Sequence, residues 1–345
     1  MMMARTRIAA LAALLLALLA GGPAAAADGD ALERIRGRGS VACGLRGGLG
    51  GLSFVDAQGH LDGFMVDFCR AFAAATLGDA QAIHVVRLPD KPQEFAAVEK
   101  HEVDVALTTT TWTFSRDFTF AIEYLHPLLY DGQGFAILDA RPPPLDQLGQ
   151  RTVCVKARTT TARNLEDFIQ QTGRPWTVRT FNTYDEALQA FLAQECGLLT
   201  TDRSVLVTSL ASYRDAGLAV HIYPDAISRE PLTPYIARDD RTWYDIGRWI
   251  IFATVLAEER GVTAADVRAG RIPDDPELAD LFGHANTGAR ALGLPEDWAL
   301  QVIGQVGNYG EIFERNLGNR SPYRMERALN QPWSRGGMLY APPFR

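Results

Sequence analysis

Short apolar runs alternate with segments of helical period, and this happens twice along the chain. That alternation limits the possible folds more than any other feature. The first series predicts a strand over 41–45, a helix over 64–77, a strand over 83–88, a helix over 92–100 and a strand over 103–107. The second predicts a strand over 152–155, a helix over 162–171, a strand over 176–180, a helix over 184–194 and a strand over 197–199 that runs on into Thr200, Thr201 and Asp202. A helix from about 204 to 210 and a strand over 220–223 follow. Strands separated by helices pair in parallel, which makes an α/β protein with two open sheets. Between the two series lie a strand over 131–137 and the break Arg141-Pro142-Pro143-Pro144. A return segment over 230–237 and an amphipathic helix over 243–260 lead into a helical remainder with a Pro-rich tail. The expected organisation is therefore a first lobe of 28–137 and 231–345, with a second lobe of 138–230 inserted into it. Two chain crossings would form a hinge.

Ligands of such sheets sit beyond the carboxyl ends of the strands, and the loops there carry polar groups. The strand over 103–107 opens onto Thr108-Thr109-Thr110-Thr111, with Arg116 five residues further on. Hydroxyls can hydrogen-bond a small polar ligand without carrying charge, and a guanidinium can hold a carboxylate through two parallel bonds. In the second series Thr159, Thr160 and Thr161 precede a helix, whose first N–H groups lack intrahelical partners and favour an anion. Asp202 ends a strand and offers an acceptor for an ammonium. Each feature has an ordinary alternative: a solvated loop, Thr160 or Thr161 as an N-cap, Asp202 as the cap of the helix after it. Taken together, the groups match a zwitterion. The loop 46–53, with Gly47, Gly48, Gly50 and Gly51 and with Gly44 before it, would let backbone approach a ligand. It lacks the spacing of a nucleotide-binding fingerprint.

The N-terminus reads as a targeting segment over 1–27. Arg5 and Arg7 precede an apolar run of 13 residues from Ile8 to Ala20, too short to span a bilayer, and Ala24 to Ala27 supply small residues for cleavage. Removing it takes the net charge from -7 to about -9, with 32 basic and 41 acidic residues left. An acidic chain without a basic stripe argues against nucleic acid as partner. In an exported chain the four cysteines favour disulfides over a metal site, since no Cys-x-x-Cys occurs. Three pairings are possible. Cys43–Cys69 and Cys154–Cys196 are preferred, because each joins a strand to a nearby segment within one lobe.

The chain resembles the general L-amino-acid-binding proteins among the family-three solute-binding proteins of bacterial ABC importers. The resemblance covers essentially the whole mature chain. It is carried by Cys43-Gly44, Gly63-Phe64 with Asp67-Phe68-Cys69-Arg70, Thr110-Thr111-Trp112-Thr113 with Arg116-Asp117, and the run from Tyr130 to Phe135. Further carriers are Val153-Cys154-Val155, Thr200-Thr201-Asp202, Glu230-Pro231-Leu232, Asn308-Tyr309-Gly310-Glu311 and the run from Gly336 to Pro343. It implies a two-lobed, type II periplasmic binding fold that closes on a free L-amino acid and delivers it to a membrane permease. It implies a monomer in the periplasm with no cofactor and no catalytic activity. By motif position Arg116 would take the α-carboxylate, helped by Thr111 and by Thr160 beside Thr159. Asp202 would take the α-ammonium, with Thr109 near it.

The chain departs from the family pattern at several points. The family usually has Arg-Asn where Thr108-Thr109 stand, glycine where Arg158 stands, Pro-Gly-Phe where Gly50-Gly51-Leu52 stand, and aspartate at Met65 and Gly197. The first three border the expected side-chain pocket, which puts Arg158 among the candidate ligand residues. The exchange either moves positive charge across the cleft or leaves Arg158 in solvent. Two other functions share the fold: a periplasmic enzyme acting like a cyclohexadienyl dehydratase, for which Glu123 is the nearest candidate acid, and a sensory ligand-binding module.

Overall fold

The computed structural model describes residues 30–55, 61–283 and 287–344. The targeting segment read over 1–27 lies outside the described residues. In chain order the first part contains helix α1 (Ala31–Arg38), strand β1 (Val41–Leu45), the short pair β2 (Phe54–Val55) and β3 (Leu61–Asp62), helix α2 (Phe64–Leu77), β4 (Ile83–Arg87), α3 (Lys91–Glu99), β5 (Val105–Ala106), α4 (Phe114–Thr119), β6 (Ile122–Tyr124) and β7 (Leu129–Asp131). The middle part contains β8 (Gln133–Ile137), β9 (Arg151–Lys156), α5 (Thr160–Thr172), β10 (Trp176–Phe181), α6 (Tyr184–Leu192), β11 (Leu198–Asp202), α7 (Arg203–Asp215) and β12 (His221–Ile222). The chain then returns through β13 (Glu230–Leu232), β14 (Tyr235–Ala237) and α8 (Arg241–Glu259), followed by five shorter helices up to Asn316.

Two five-stranded sheets form, as the alternation predicts. The first has the order β4-β1-β5-β14-β6, with β1 parallel to both β4 and β5 and with β14 antiparallel. The second has the order β10-β9-β11-β8-β12, with β9 parallel to β10 and β11 and with β8 antiparallel to β11. The strands of β1 and the centre of β9 are buried on both faces, which is why they read as unbroken apolar runs. Helix α2 ends at Gly78, whose φ of 72° closes the last turn, as the sequence predicts.

One expectation is corrected. The run 131–137 reads as a single strand, but the structure breaks it at Gly132. Before the break, β7 pairs with β13 in a two-stranded ribbon. After it, β8 belongs to the second sheet. A Cβ at Gly132 would stand 2.6 Å from the Ala226 Cβ and 2.9 Å from the Ser228 carbonyl oxygen, so only glycine fits where the chain changes sheets. Composition gives no warning of the change, because nothing in the run says which strand each half will pair with.

Both disulfides have the preferred pairing. Cys43 of β1 joins Cys69 of α2, and Cys154 of β9 joins Cys196 after α6. They close loops of 26 and 42 residues within one sheet-and-helix layer each. Chain-entropy arguments give about 3–4 kcal/mol apiece. Reduction under non-denaturing conditions is expected to lower the urea midpoint of each lobe while leaving hinge motion free. Urea titration with and without reductant measures this.

Candidate functional site

A pocket lies between the two sheets and is lined from both sides. Arg46, Lys91, Thr109, Thr111 and Arg116 come from the first part of the chain; Lys156, Thr159, Thr160, Thr161, Tyr184 and Asp202 come from the middle part. The cavity they enclose is small, about 30 Å³. The elements explain why these residues meet. Arg46 follows β1, the threonine loop follows β5, Lys156 ends β9 and Asp202 ends β11, so the carboxyl ends of both sheets face one another.

Successive residues of the extended threonine loop point to opposite sides. Thr108 and Thr110 turn inward and donate to Oε2 of Glu94, at 3.0 and 2.8 Å. Glu94 is fully buried and also accepts from Tyr235 and from Lys91 Nζ at 2.7 Å. Thr109 and Thr111 turn toward the pocket. The Thr109 hydroxyl accepts from Arg46 Nη1 at 3.4 Å, and the Thr111 hydroxyl donates to Glu230. Arg116 sits on the first turns of α4 and spends Nη1 on the Thr111 carbonyl at 2.8 Å. Among the described residues its other two guanidinium nitrogens, Nε and Nη2, carry no hydrogen bond and remain for a ligand.

Across the cleft, Thr159 is the N-cap of α5. Its hydroxyl accepts from Ala162 N and donates to the Lys156 carbonyl. The cap is therefore neither Thr160 nor Thr161. The amides of these two residues, at the first two helical positions, have no partner among the described residues and border the pocket.

Asp202 precedes α7 but does not cap it. That work is done by Asp131 from β7, which accepts from Ser204 N at 3.0 Å and from Gly132 N at 2.8 Å. The Asp202 carboxylate is released to the pocket, where its Oδ1 is buried with no hydrogen-bond partner among the described residues. Burial, and then the nearby carboxylates of Asp131 and Glu230, hold its pKa well above the ordinary value. Burial likewise raises Asp131. Such a group gains most from a cation brought to it.

Arg158 is exposed and does not line the pocket, although its charge acts on Lys156, which does. Its φ of 58° is left-handed, a conformation that suits the glycine expected at this position. The glycines of the loop 46–53 do not line the pocket. Gly51, at φ 69°, packs against the Asn316 carbonyl and the ring of Tyr323, so the loop braces the C-terminal segment. Glu123 lies on β6 outside the pocket lining.

Among the residues that escaped the sequence reading are Arg46, Lys91, Lys156, Tyr184 and Glu230. Single cations in loops have no periodic signature. Their one available signal was position, directly after a strand or at the start of a helix. Glu230 is buried in β13 and is gripped from both sides of the cleft, by the Thr111 hydroxyl and by Asn164 Nδ2 at 2.7 Å. No group of three or more possible metal ligands occurs among the described residues, and no helix there is long and apolar enough to cross a membrane.

No family model matches the chain. Curated relatives match it over nearly their whole length. The glutamate/glutamine/aspartate/asparagine-binding protein BztA of Rhodobacter capsulatus is 39% identical over 333 residues, covering 96% of this chain and 97% of the relative. The general L-amino acid-binding periplasmic protein AapJ of Rhizobium johnstonii is 37% identical over 333 residues, covering 95% and 96%. Among solved structures, an ABC transporter periplasmic binding protein from Brucella ovis with glutathione bound matches with a TM-score of 0.85 at 36% identity, covering 91% of this chain and 99% of that one. An ancestral arginine-binding protein bound to arginine matches with a TM-score of 0.55 at 18% identity, covering 81% and 99%, and speaks to the fold alone.

Proposed function

The chain belongs to the amino-acid-binding proteins of ABC transporters, and we propose that it captures a free L-amino acid between its two lobes in the periplasm and hands it to a membrane permease. The observation that carries the ligand class is the pairing of opposite half-sites. Arg116 with the free amides of Thr160 and Thr161 forms an anion site. The buried, unpartnered Asp202 carboxylate forms a cation site across the same pocket. Arg116 and the helix amides take the α-carboxylate, with Thr111 beside them; Asp202 takes the α-ammonium, with Thr109 beside it.

We place the lobe crossings at the ribbon of β7 and β13, where Asp131 stands opposite Glu230. The first lobe then runs to about 131 and resumes near 232. Glu230 holds Thr111 of one lobe and Asn164 of the other, so it acts as a clasp of the closed form.

Calorimetry and thermal shift against the common L-amino acids, with chromatography of the mixtures, test the reading. One-to-one binding with no product supports it. Turnover of prephenate or arogenate, or no response to any amino acid, would contradict it.

The raised pKa of Asp202 fixes a sign. The ammonium binds the ionised carboxylate, so ligand binding drives a proton off Asp202 wherever the free protein still holds it. Affinity is expected to fall as pH falls through the raised pKa. At and below the raised pKa, binding is expected to release protons, read as a dependence of the binding heat on buffer ionisation enthalpy. Proton uptake would contradict this.

A further inference from the structure

We propose that the ligand carries a second anionic group on its side chain, held by Arg46 from one lobe and Lys156 from the other. The proposal deepens the amino-acid reading and rests on it.

The argument is a balance of charge. Four cations border the pocket, Arg46, Lys91, Arg116 and Lys156, against the single acid Asp202. The amino-acid backbone supplies one carboxylate for Arg116 and one ammonium for Asp202. Lys91 already has Glu94 at 2.7 Å. Arg46 and Lys156 are left over. Among the described residues neither forms an ion pair, and the one side-chain hydrogen bond from the Arg46 guanidinium is the long contact of 3.4 Å to Thr109.

These cations also repel one another. Lys91 is pushed down to about 8, chiefly by burial and then by Arg46 and Arg116 acting against the pull of Glu94. Lys156 is lowered by burial and by Arg46. Unpaired cations in a site that closes over its ligand are costly unless the ligand brings the counter-charge. Arg46 extends from the end of β1 and Lys156 from the end of β9, so one anion between them would touch both lobes. The pocket thus holds a triangle of anion, cation and anion sites, which a side-chain carboxylate, sulfonate or phosphate on an α-amino acid would fill. A neutral amide would leave the two cations without an ion-pair partner among the described residues, with only the more distant pull of Glu94 on both and of Asp90 on Lys156.

The test is calorimetric titration of the mature chain with L-glutamate against L-glutamine and L-aspartate against L-asparagine. In at least one pair the acid is expected to bind at least about tenfold more tightly than the amide. Arg46→Gln and Lys156→Gln are each expected to move that ratio toward unity. A variant that failed to fold would lose both ligands together, so the ratio separates specificity from damage; the two variants check one another. Amides binding as tightly as acids, or a ratio unmoved in both variants, would overturn the proposal while leaving an amino-acid site in place. Absence of binding to every amino acid would overturn the site itself.

Discussion

Replacing Asp202 by asparagine is expected to remove tight ligand binding and, at the same pH, to make the ligand-free protein more stable. Both effects have one cause. The carboxylate is 7% exposed and its Oδ1 has no partner among the described residues, while Asp131 and Glu230 add like charge. Its folded pKa is raised above the unfolded value. A group shifted in that direction contributes stability below its unfolded pKa and loses that contribution as pH rises through the folded pKa. Above that range the ligand-free protein carries a buried charge that it cannot satisfy, and the ammonium of the ligand satisfies it. Asparagine removes the penalty and the attraction together. The loss in binding should reach about 2–5 kcal/mol, the usual cost of truncating one partner of a buried charge pair. The gain for the ligand-free protein should be on the order of 1 kcal/mol. Thermal unfolding without ligand across a pH series, and calorimetry with ligand, measure the two halves. A variant that bound normally, or that was less stable without ligand, would contradict the assignment.

Arg116→Ala is expected to weaken binding by more than about 2 kcal/mol, roughly 30-fold in Kd, because the α-carboxylate would lose its charge-assisted donors and remain desolvated. The side chain is half-buried, with Nη1 on the Thr111 carbonyl and the guanidinium 6.0 Å from the centre of the Phe95 ring. It is therefore held in place before ligand arrives, and little ordering entropy offsets its contribution. Arg116→Lys would recover the charge without the fork and should fall between the wild type and the alanine variant. Unchanged affinity in the alanine variant would remove Arg116 from the site.

Much of this was legible in the sequence, for physical reasons that differ from element to element. Buried parallel strands such as β1 and β9 must be apolar throughout, and α2 must stop where Gly78 turns left-handed, so their patterns show plainly. Arg116 and Asp202 could be nominated because one follows the threonine loop beyond a strand and the other ends a strand. The change of sheet at Gly132 was hidden, since periodicity records burial and not the identity of the partner strand. At Arg158 sequence shows the substituted residue but not its left-handed backbone angle or its exposure. The division of labour between Asp131 and Asp202 was beyond sequence altogether. Helix α7 is capped by a residue 73 positions away, which frees the adjacent carboxylate.

The account rests on a zwitterion divided between the two lobes. Its most direct test takes the tightest-binding L-amino acid and two analogues of the same length, one lacking the α-amino group and one lacking the α-carboxylate, and measures Kd for all three by calorimetry. The prediction is that each analogue loses at least about 2 kcal/mol, and that the deaminated analogue regains relative ground in Asp202→Asn while the decarboxylated one does so in Arg116→Ala. An analogue lacking either group that bound as tightly as the parent amino acid would contradict it.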